Sequence, residues 1–198
     1  MRSILVLATL LLAPISAAIA APQTFRSSAG NLSVETLASG LEHPWAIAFL
    51  PDGNMLVTER PGRMRIVTRG GRLSPPLAGV PKVFAYHQTG LQDVILANDF
   101  EQSQTVFFCY VEPVDGRGRI VVAHARLLEG KRLVDGTPPR LVAVKTIFRQ
   151  RNPLGYGVNM GCRIVQAKDA NLFVTLGDQF SAELAQKLDN HIGKIVRI

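Results

Sequence analysis

The sequence predicts an all-β chain assembled from repeated small sheets, a β-propeller. Three observations carry that prediction. Short apolar runs recur along the chain, turn-forming residues separate them, and one strand–acidic turn–strand core appears more than once.

The apolar runs are about five residues long and rich in Val, Ile, Thr and Phe, which suit a pleated, half-buried surface. In order they are "WAIAFL", "NMLVTE", "MRIVT", "LQDVILA", "TVFFCYVE", "RIVVAHARL", "CRIVQA", "NLFVTLG" and "KIVRI". Between them stand "PDGN", "RPGR", "RGG", "DGRGR" and "KDAN". Gly and Asn accept positive φ and Pro presets φ, so these segments read as turns. No long helical periodicity follows the first residues.

The repeat narrows the fold. "AFLPDGNMLVTERPGRMRIV" (Ala48 to Val67) aligns with "VQAKDANLFVTLGDQF" (Val165 to Phe180). Asp52 matches Asp169, Asn54 matches Asn171, and Val57-Thr58 matches Val174-Thr175. A looser middle copy, "DVILANDFEQSQTVFFCYVE", puts Asp99 in its turn. A blade-like sheet recurring every ~50 to 70 residues points to a propeller rather than an ordinary meander. Residues 21–198 hold about three to four blades, whereas a propeller closes with about four to eight. The expectation is an N-terminal fragment or an early-ended chain. Closure by a partner, or a truncated product without a stable fold, are the alternatives.

Residues 1–20 read as a secretory signal peptide. Arg2 supplies a positive start, Ile4 to Leu12 is apolar, and Ala18-Ile19-Ala20 is a small-x-small cleavage signal. The apolar run is shorter than the ~18 residues of a membrane span. An exported, periplasmic or secreted chain is expected, with residues 21–198 as the partial propeller domain. Losing Arg2 takes the formal net charge from +7 to +6. Arg60, Arg63, Arg65, Arg69 and Arg72 cluster and read as a solvated hairpin face. With no aromatic residues interleaved to stack bases, nucleic acid is not an expected partner. Cys109 and Cys162 are the only thiols; both sit in apolar runs, and two buried free thiols are favoured over a bridge. No Cys/His cluster has zinc-ligand spacing.

"GLEHPWAIAFLPDGNMLVTERPGRMRIV", "HQTGLQDVILANDF", "RIVQAKDANLFVTLGDQ" and "NHIGKIVRI" together resemble, in family order, the soluble PQQ-dependent sugar dehydrogenases. This is the glucose/sorbosone dehydrogenase group, which includes the aldose sugar dehydrogenases. The resemblance implies a six-bladed quinoprotein propeller with pyrroloquinoline quinone (PQQ) on its central face and calcium beside it. It also implies oxidation of the anomeric hydroxyl of an aldose to a lactone. In such a reaction a base takes the hydroxyl proton while hydride passes from C1 to the quinone and onward to an electron acceptor.

By position, the resemblance places Gln88 on a glutamine that touches cofactor or sugar, and Asp178 on a recurrent aspartate. Trp45 is expected to pack between blades, and His43, His124 and His191 to serve as structural hydrogen-bonding groups. The family leads the Arg-(Leu/Ile)-Val strand with a histidine four residues before the arginine. Here the arginine is Arg163 and that residue is Asn159, whose amide cannot accept a proton near neutral pH. His87, beside Gln88, is the candidate substitute base. The family's cofactor-binding and calcium-binding residues come largely from later blades, so no metal ligand is assigned. The alternative function is a non-catalytic exported propeller that binds a sugar or a protein partner.

Overall fold

The computed structural model describes residues 22–128, 138–151 and 157–198. The signal-peptide expectation for residues 1–20 lies outside them, as do Gly155 and Tyr156 of the loop before Asn159. Two compact units are present, divided between Leu37 and Ala38. The first contains an exposed hairpin of β1 (Gln23–Ser27) and β2 (Gly30–Val34). Ser27 Oγ closes its turn by donating to Gly30 O at 2.7 Å.

The second unit contains three antiparallel sheets, each a simple meander. Sheet one is β3 (Pro44–Phe49), β4 (Met55–Glu59) and β5 (Arg63–Val67). Sheet two is β6 (Leu91–Leu96), β7 (Thr105–Val114), β8 (Arg117–Leu128) and β9 (Arg140–Arg149). Sheet three is β10 (Gly161–Gln166), β11 (Leu172–Leu176) and β12 (Ile195–Arg197). All nine predicted runs form strands. Two four-residue helices complete the described elements, α1 (Phe100–Ser103) and α2 (Ala182–Ala185).

The repeated turn is a shared physical device. The Asp52 carboxylate accepts from Asn54 N at 2.9 Å and Asn54 Nδ2 at 2.6 Å. Asp169 does the same for Asn171, at 3.3 and 2.7 Å. The middle copy departs from this pattern, because Asp99 opens the helical turn α1 between β6 and β7.

Side-chain alternation in sheet two builds both cores. On β7, Val106, Phe108 and Tyr110 face sheet one and pack with Ala46, Ala48, Leu56, Met64 and Ile66. Cys109 and Val111 point the other way, towards Met160, Cys162, Ile164, Leu172, Val174 and Leu176 of the third blade. A strand buried on both faces reads as a continuous apolar run, as "TVFFCYV" does; β10 is covered on one face and alternates.

Two expectations are corrected. Cys109 and Cys162 form a disulfide, with Cα atoms 6.6 Å apart. Alternation turns both side chains into the layer between sheets two and three, an approach that a 53-residue separation hides in the sequence. The arginine cluster is not wholly a solvated face either. Arg63 Nε and Nη2 donate to both oxygens of the buried Glu59 carboxylate, at 2.9 and 2.8 Å. Arg65 Nη1 lies 3.6 Å from the same carboxylate, and its Nε donates to Ser74 O at 2.7 Å. Burial would push the Glu59 carboxyl up, yet Arg63, the Glu42 amide and Arg65 together hold it below its ordinary value.

Loop-closure entropy assigns the 53-residue disulfide loop about 4 kcal/mol. The double variant Cys109→Ala/Cys162→Ala should therefore lose about 2–4 kcal/mol in urea unfolding, and an unchanged midpoint would exclude the bridge. Glu59 ionises more readily folded than unfolded. Its stabilising contribution is thus complete above the ordinary value of 4.5 and is lost as pH falls through the lower folded value. Glu59→Gln should flatten the acid limb of stability against pH; superimposable limbs would contradict this assignment.

Candidate active site

The inner strands β3, β6 and β10 each carry a register shift, at Pro44/Ala46, Leu91/Val94 and Gly161/Ile164. A bulge takes an amide out of the ladder and re-aims nearby side chains. In sheets one and three the freed amide is met by a threonine. Ala46 N donates to Thr58 Oγ1 at 3.0 Å, and Arg163 N donates to Thr175 Oγ1 at 2.9 Å. These are the threonines of the repeated core.

Neighbouring blades are latched at the same level. Thr58 Oγ1 donates to Gln92 O at 2.6 Å, joining sheets one and two. Asp93, almost completely buried, joins sheets two and three: its carboxylate accepts from Ile164 N and from Arg163 Nη1, both at 2.7 Å. Burial raises the Asp93 carboxyl above its ordinary value, partly offset by the Ile164 amide and the Arg163 charge. Asp93 was missed as a site-building residue; the available signal was a lone charge inside the apolar run "LQDVILA".

Above these latches the structure brings Gln88, Asn159 and Asp178 together. Gln88 lies in a turn closed by Thr89 N donating to Tyr86 O at 2.9 Å and Tyr86 N donating to Thr89 Oγ1 at 2.8 Å. Gln88 N donates to Gly157 O at 2.9 Å, and Gln88 Oε1 accepts from Asn159 N at 2.8 Å. Asn159 Nδ2 in turn donates to Asp178 Oδ1 at 3.2 Å. Gly177 must be glycine, since a Cβ there would sit 1.7 Å from Asn159 O.

Four non-glycine residues of this mouth hold left-handed backbone: His87 (φ +50), Asn159 (+47), Gln179 (+53) and Phe180 (+59). Such conformations cost energy and concentrate at functional sites. Two buried amides beside the triad also have polar atoms without a partner among the described residues, Gln92 Oε1 and Gln179 Nε2.

The other predicted residues fall as follows. The exposed His87 ring lies edge-on to Tyr86, with centroids 4.0 Å apart, outside the hydrogen bonds joining the triad. Trp45 is 40 % exposed rather than packed between blades. It lines a 320 Å³ pocket with Leu41, Pro44, Ile47 and Arg163, because β3 turns Ala46 and Ala48, not Trp45, into the core. His191 is structural: its Nδ1 accepts from Arg151 N at 3.2 Å and its ring packs on Phe148. Burial, with Arg151 and Lys194 nearby, lowers its pKa. His43 accepts from Arg60 N through its backbone carbonyl, and the His124 ring lies beside Phe107. Among the described residues, no three His, Cys, Asp or Glu side chains gather as a metal site.

Blade-like sheets with latched inner strands define an incomplete β-propeller. The Glucose / Sorbosone dehydrogenase family model matches residues 41–198, and the chain belongs to that family. It is 40 % identical over 170 residues to the aldose sugar dehydrogenase YliI of Escherichia coli, covering 85 % of this chain and 44 % of that protein. The crystal structure of the apo-form of soluble aldose sugar dehydrogenase from Escherichia coli superposes with TM-score 0.72 at 41 % identity, over 80 % of this chain and 44 % of that one. The PQQ-bound aldose sugar dehydrogenase of Streptomyces coelicolor gives TM-score 0.67 at 29 % identity, over 82 % and 46 %. The chain thus spans less than half the length of these relatives.

PQQ is a tricarboxylate, and anions of that charge are held by cationic donors. The triad joins two neutral amides to a carboxylate, with no cation in its hydrogen bonds. By itself it does not fit PQQ, so no step is derived through the cofactor.

The Asp93 latch gives a direct test. Asp93→Ala leaves the Ile164 amide unpaired between two sheets and should cost about 2–3 kcal/mol of stability in urea unfolding. A loss under ~0.5 kcal/mol, the range of a neutral surface change, would show that the latch is not holding the sheets.

Proposed function

We propose that this chain forms the sugar-facing part of an aldose-dehydrogenase-type propeller and binds an aldose hydroxyl at Gln88, Asn159 and Asp178 without oxidising it. The observation that carries the reading is Asn159 itself. It stands where the family resemblance implies a base and is hydrogen-bonded to both neighbouring site residues.

The chemistry follows from the donor inventory. Asn159 Nδ2 is committed to Asp178, which leaves Asn159 Oδ1 to accept from a sugar hydroxyl, while the Gln88 amide nitrogen can donate to a second. An amide oxygen holds a hydroxyl proton in a hydrogen bond but does not remove it near neutral pH. PQQ-dependent oxidation of the anomeric hydroxyl, with calcium assisting, is the activity implied by the resemblance to aldose sugar dehydrogenases. A positioned base contributes about 10²–10⁴-fold to such proton transfers, and the triad lacks one. His87 is not joined to the triad and is the weaker candidate for that role.

The signal-like residues 1–20 support an exported location, and the Cys109–Cys162 bridge suits an oxidising compartment.

Two measurements on the purified chain test the reading together. Calorimetric titration should show aldose binding that Asn159→Ala weakens by about ten-fold, the loss of one good hydrogen bond. In the presence of PQQ and Ca²⁺, an aldose should give dye reduction no higher than background. Turnover above background would overturn binding without oxidation, and unchanged affinity in Asn159→Ala would remove Asn159 from the site.

A further inference from the structure

The repeat that builds the blades also fixes which residues meet where blades stack. Sheet one offers sheet two a face carrying Ala48, Leu56 and Met64, all buried in the seam. The Asp-x-Asn alignment and the strand pairing put Val165, Phe173 and Ile195 at the same places in sheet three. Ala48 pairs with Leu56 as Val165 pairs with Phe173, and Thr58 pairs with Met64 as Thr175 pairs with Ile195. The surroundings differ, since Val165, Phe173 and Ile195 are 57, 39 and 69 % exposed.

Sheet two receives sheet one with Val94, Leu96, Val106 and Phe108. The counterparts in sheet one are Ile47, Phe49, Met55 and Val57. Ile47 pairs with Val57 and Phe49 with Met55, as Val94 pairs with Phe108 and Leu96 with Val106. Met55 and Val57 are covered by Ala38, Leu41 and Leu73, but Ile47 and Phe49 are exposed. The stack therefore ends in two apolar faces of opposite kind. Sheet three presents the kind of face that sheet two receives, and sheet one presents the kind that does the receiving.

A polar group repeats the pattern. Thr58 Oγ1 accepts from the bulge amide of Ala46 and donates across the seam to Gln92 O at 2.6 Å. Thr175 Oγ1 accepts from the bulge amide of Arg163 in the same way, and its hydroxyl has no acceptor among the described residues. The counterpart of Gln92 in sheet one is Trp45, two residues before Ile47 as Gln92 is two before Val94.

We propose that a second copy of this chain covers both faces, head to tail. Sheet three of each copy stacks on sheet one of the other, and Thr175 Oγ1 donates to Trp45 O across each new seam. Contiguous exposed apolar faces mark interaction surfaces, and a second copy carries the complement to both of these at once. A head-to-tail contact either closes into a ring or grows into a filament. Three sheets in each copy make six in a pair, within the range of about four to eight at which a propeller closes. The assembly is therefore a closed two-fold dimer. The inference rests on the fold and its repeat, not on sugar binding.

Sedimentation equilibrium of the full chain should give twice the mass of one chain. Phe173→Lys, on the sheet-three face, and Ile47→Glu, on the sheet-one face, should each give single chains, because either change spoils both seams. Mixed in equal amounts, the two variants should return the doubled mass. One seam then joins two unaltered faces, and the other brings opposite charges together. Ile195→Lys and Phe49→Glu repeat the pair on the same faces should either of the first two fail to fold. A single-chain mass for the unaltered protein would overturn the proposal, as would a mixture that stays single-chain. A dimer that survives one variant but not the other is a face meeting its own kind, which overturns head-to-tail stacking. Species larger than two chains overturn ring closure.

Discussion

The Asp93 carboxylate joins the second inner strand to the third, and the geometry of the mouth depends on it. All three inner strands are bulged, and in two of them a threonine from the neighbouring strand receives the freed amide. In the middle sheet Cys109 occupies the position opposite the bulge, since Leu91 pairs with Tyr110 and Val94 with Phe108. Its sulfur is committed to Cys162. The bulge in β6 instead turns its own side chain, Asp93, across to the next blade, where it takes the Ile164 amide and the Arg163 guanidinium. The disulfide, from β7, and the carboxylate, from β6, therefore both clamp β10 against sheet two. Asn159 enters β10 from one end of this clamp, and Asp178 leaves β11 beside it, so the inter-blade seam sets their spacing while the Tyr86–Thr89 turn brings up Gln88.

How much of this was legible in the sequence depends on whether the information was local. Strands buried on both faces announce themselves as continuous apolar runs, and both "TVFFCYV" and "RIVVAHA" proved to be the central pair β7 and β8. The Asp-x-Asn turns were legible because the carboxylate bonds a residue two positions on. By contrast, β9 ("RLVAVKTIFR") passed unread because it is an edge strand whose outer residues are largely exposed, which leaves no clean alternation. The hairpin β1–β2 is exposed along its whole length and carries no burial pattern at all. The bridge, the Glu59–Arg63–Arg65 cluster and the Asp93 latch share another property. Each joins groups that become neighbours only when strands pair or blades stack, so composition showed the charges and thiols without showing their partners.

The site was read from the resemblance rather than from pattern, and the structure brings three of the four named residues, Gln88, Asn159 and Asp178, into one hydrogen-bonded line and leaves out His87. What pattern could not supply is Phe180. An apolar residue after "GDQ" looks like the start of another buried run, yet in the structure it is exposed. Trp45 illustrates the converse, since a tryptophan in an apolar strand suggests burial, while its register places it on the face away from sheet two.

The hydrogen bonds at Asn159 explain how the loop keeps its shape without a basic side chain. Asparagine tolerates left-handed backbone better than most residues, so φ +47 at this position is less costly for it than for a larger or β-branched side chain. Its Nδ2–H donates to Asp178 as an imidazole N–H could, and its main-chain amide and carbonyl hold Gln88 and Gln179 regardless of side chain. Every contact that positions the loop is therefore satisfied by an amide. The one property an amide lacks is a lone pair basic enough to take a proton, and no packing or hydrogen bond in the fold requires it. On the proposed function, recognition and proton transfer are thus separable here. The first is built into backbone geometry shared by four residues, and the second would rest on the side chain of one.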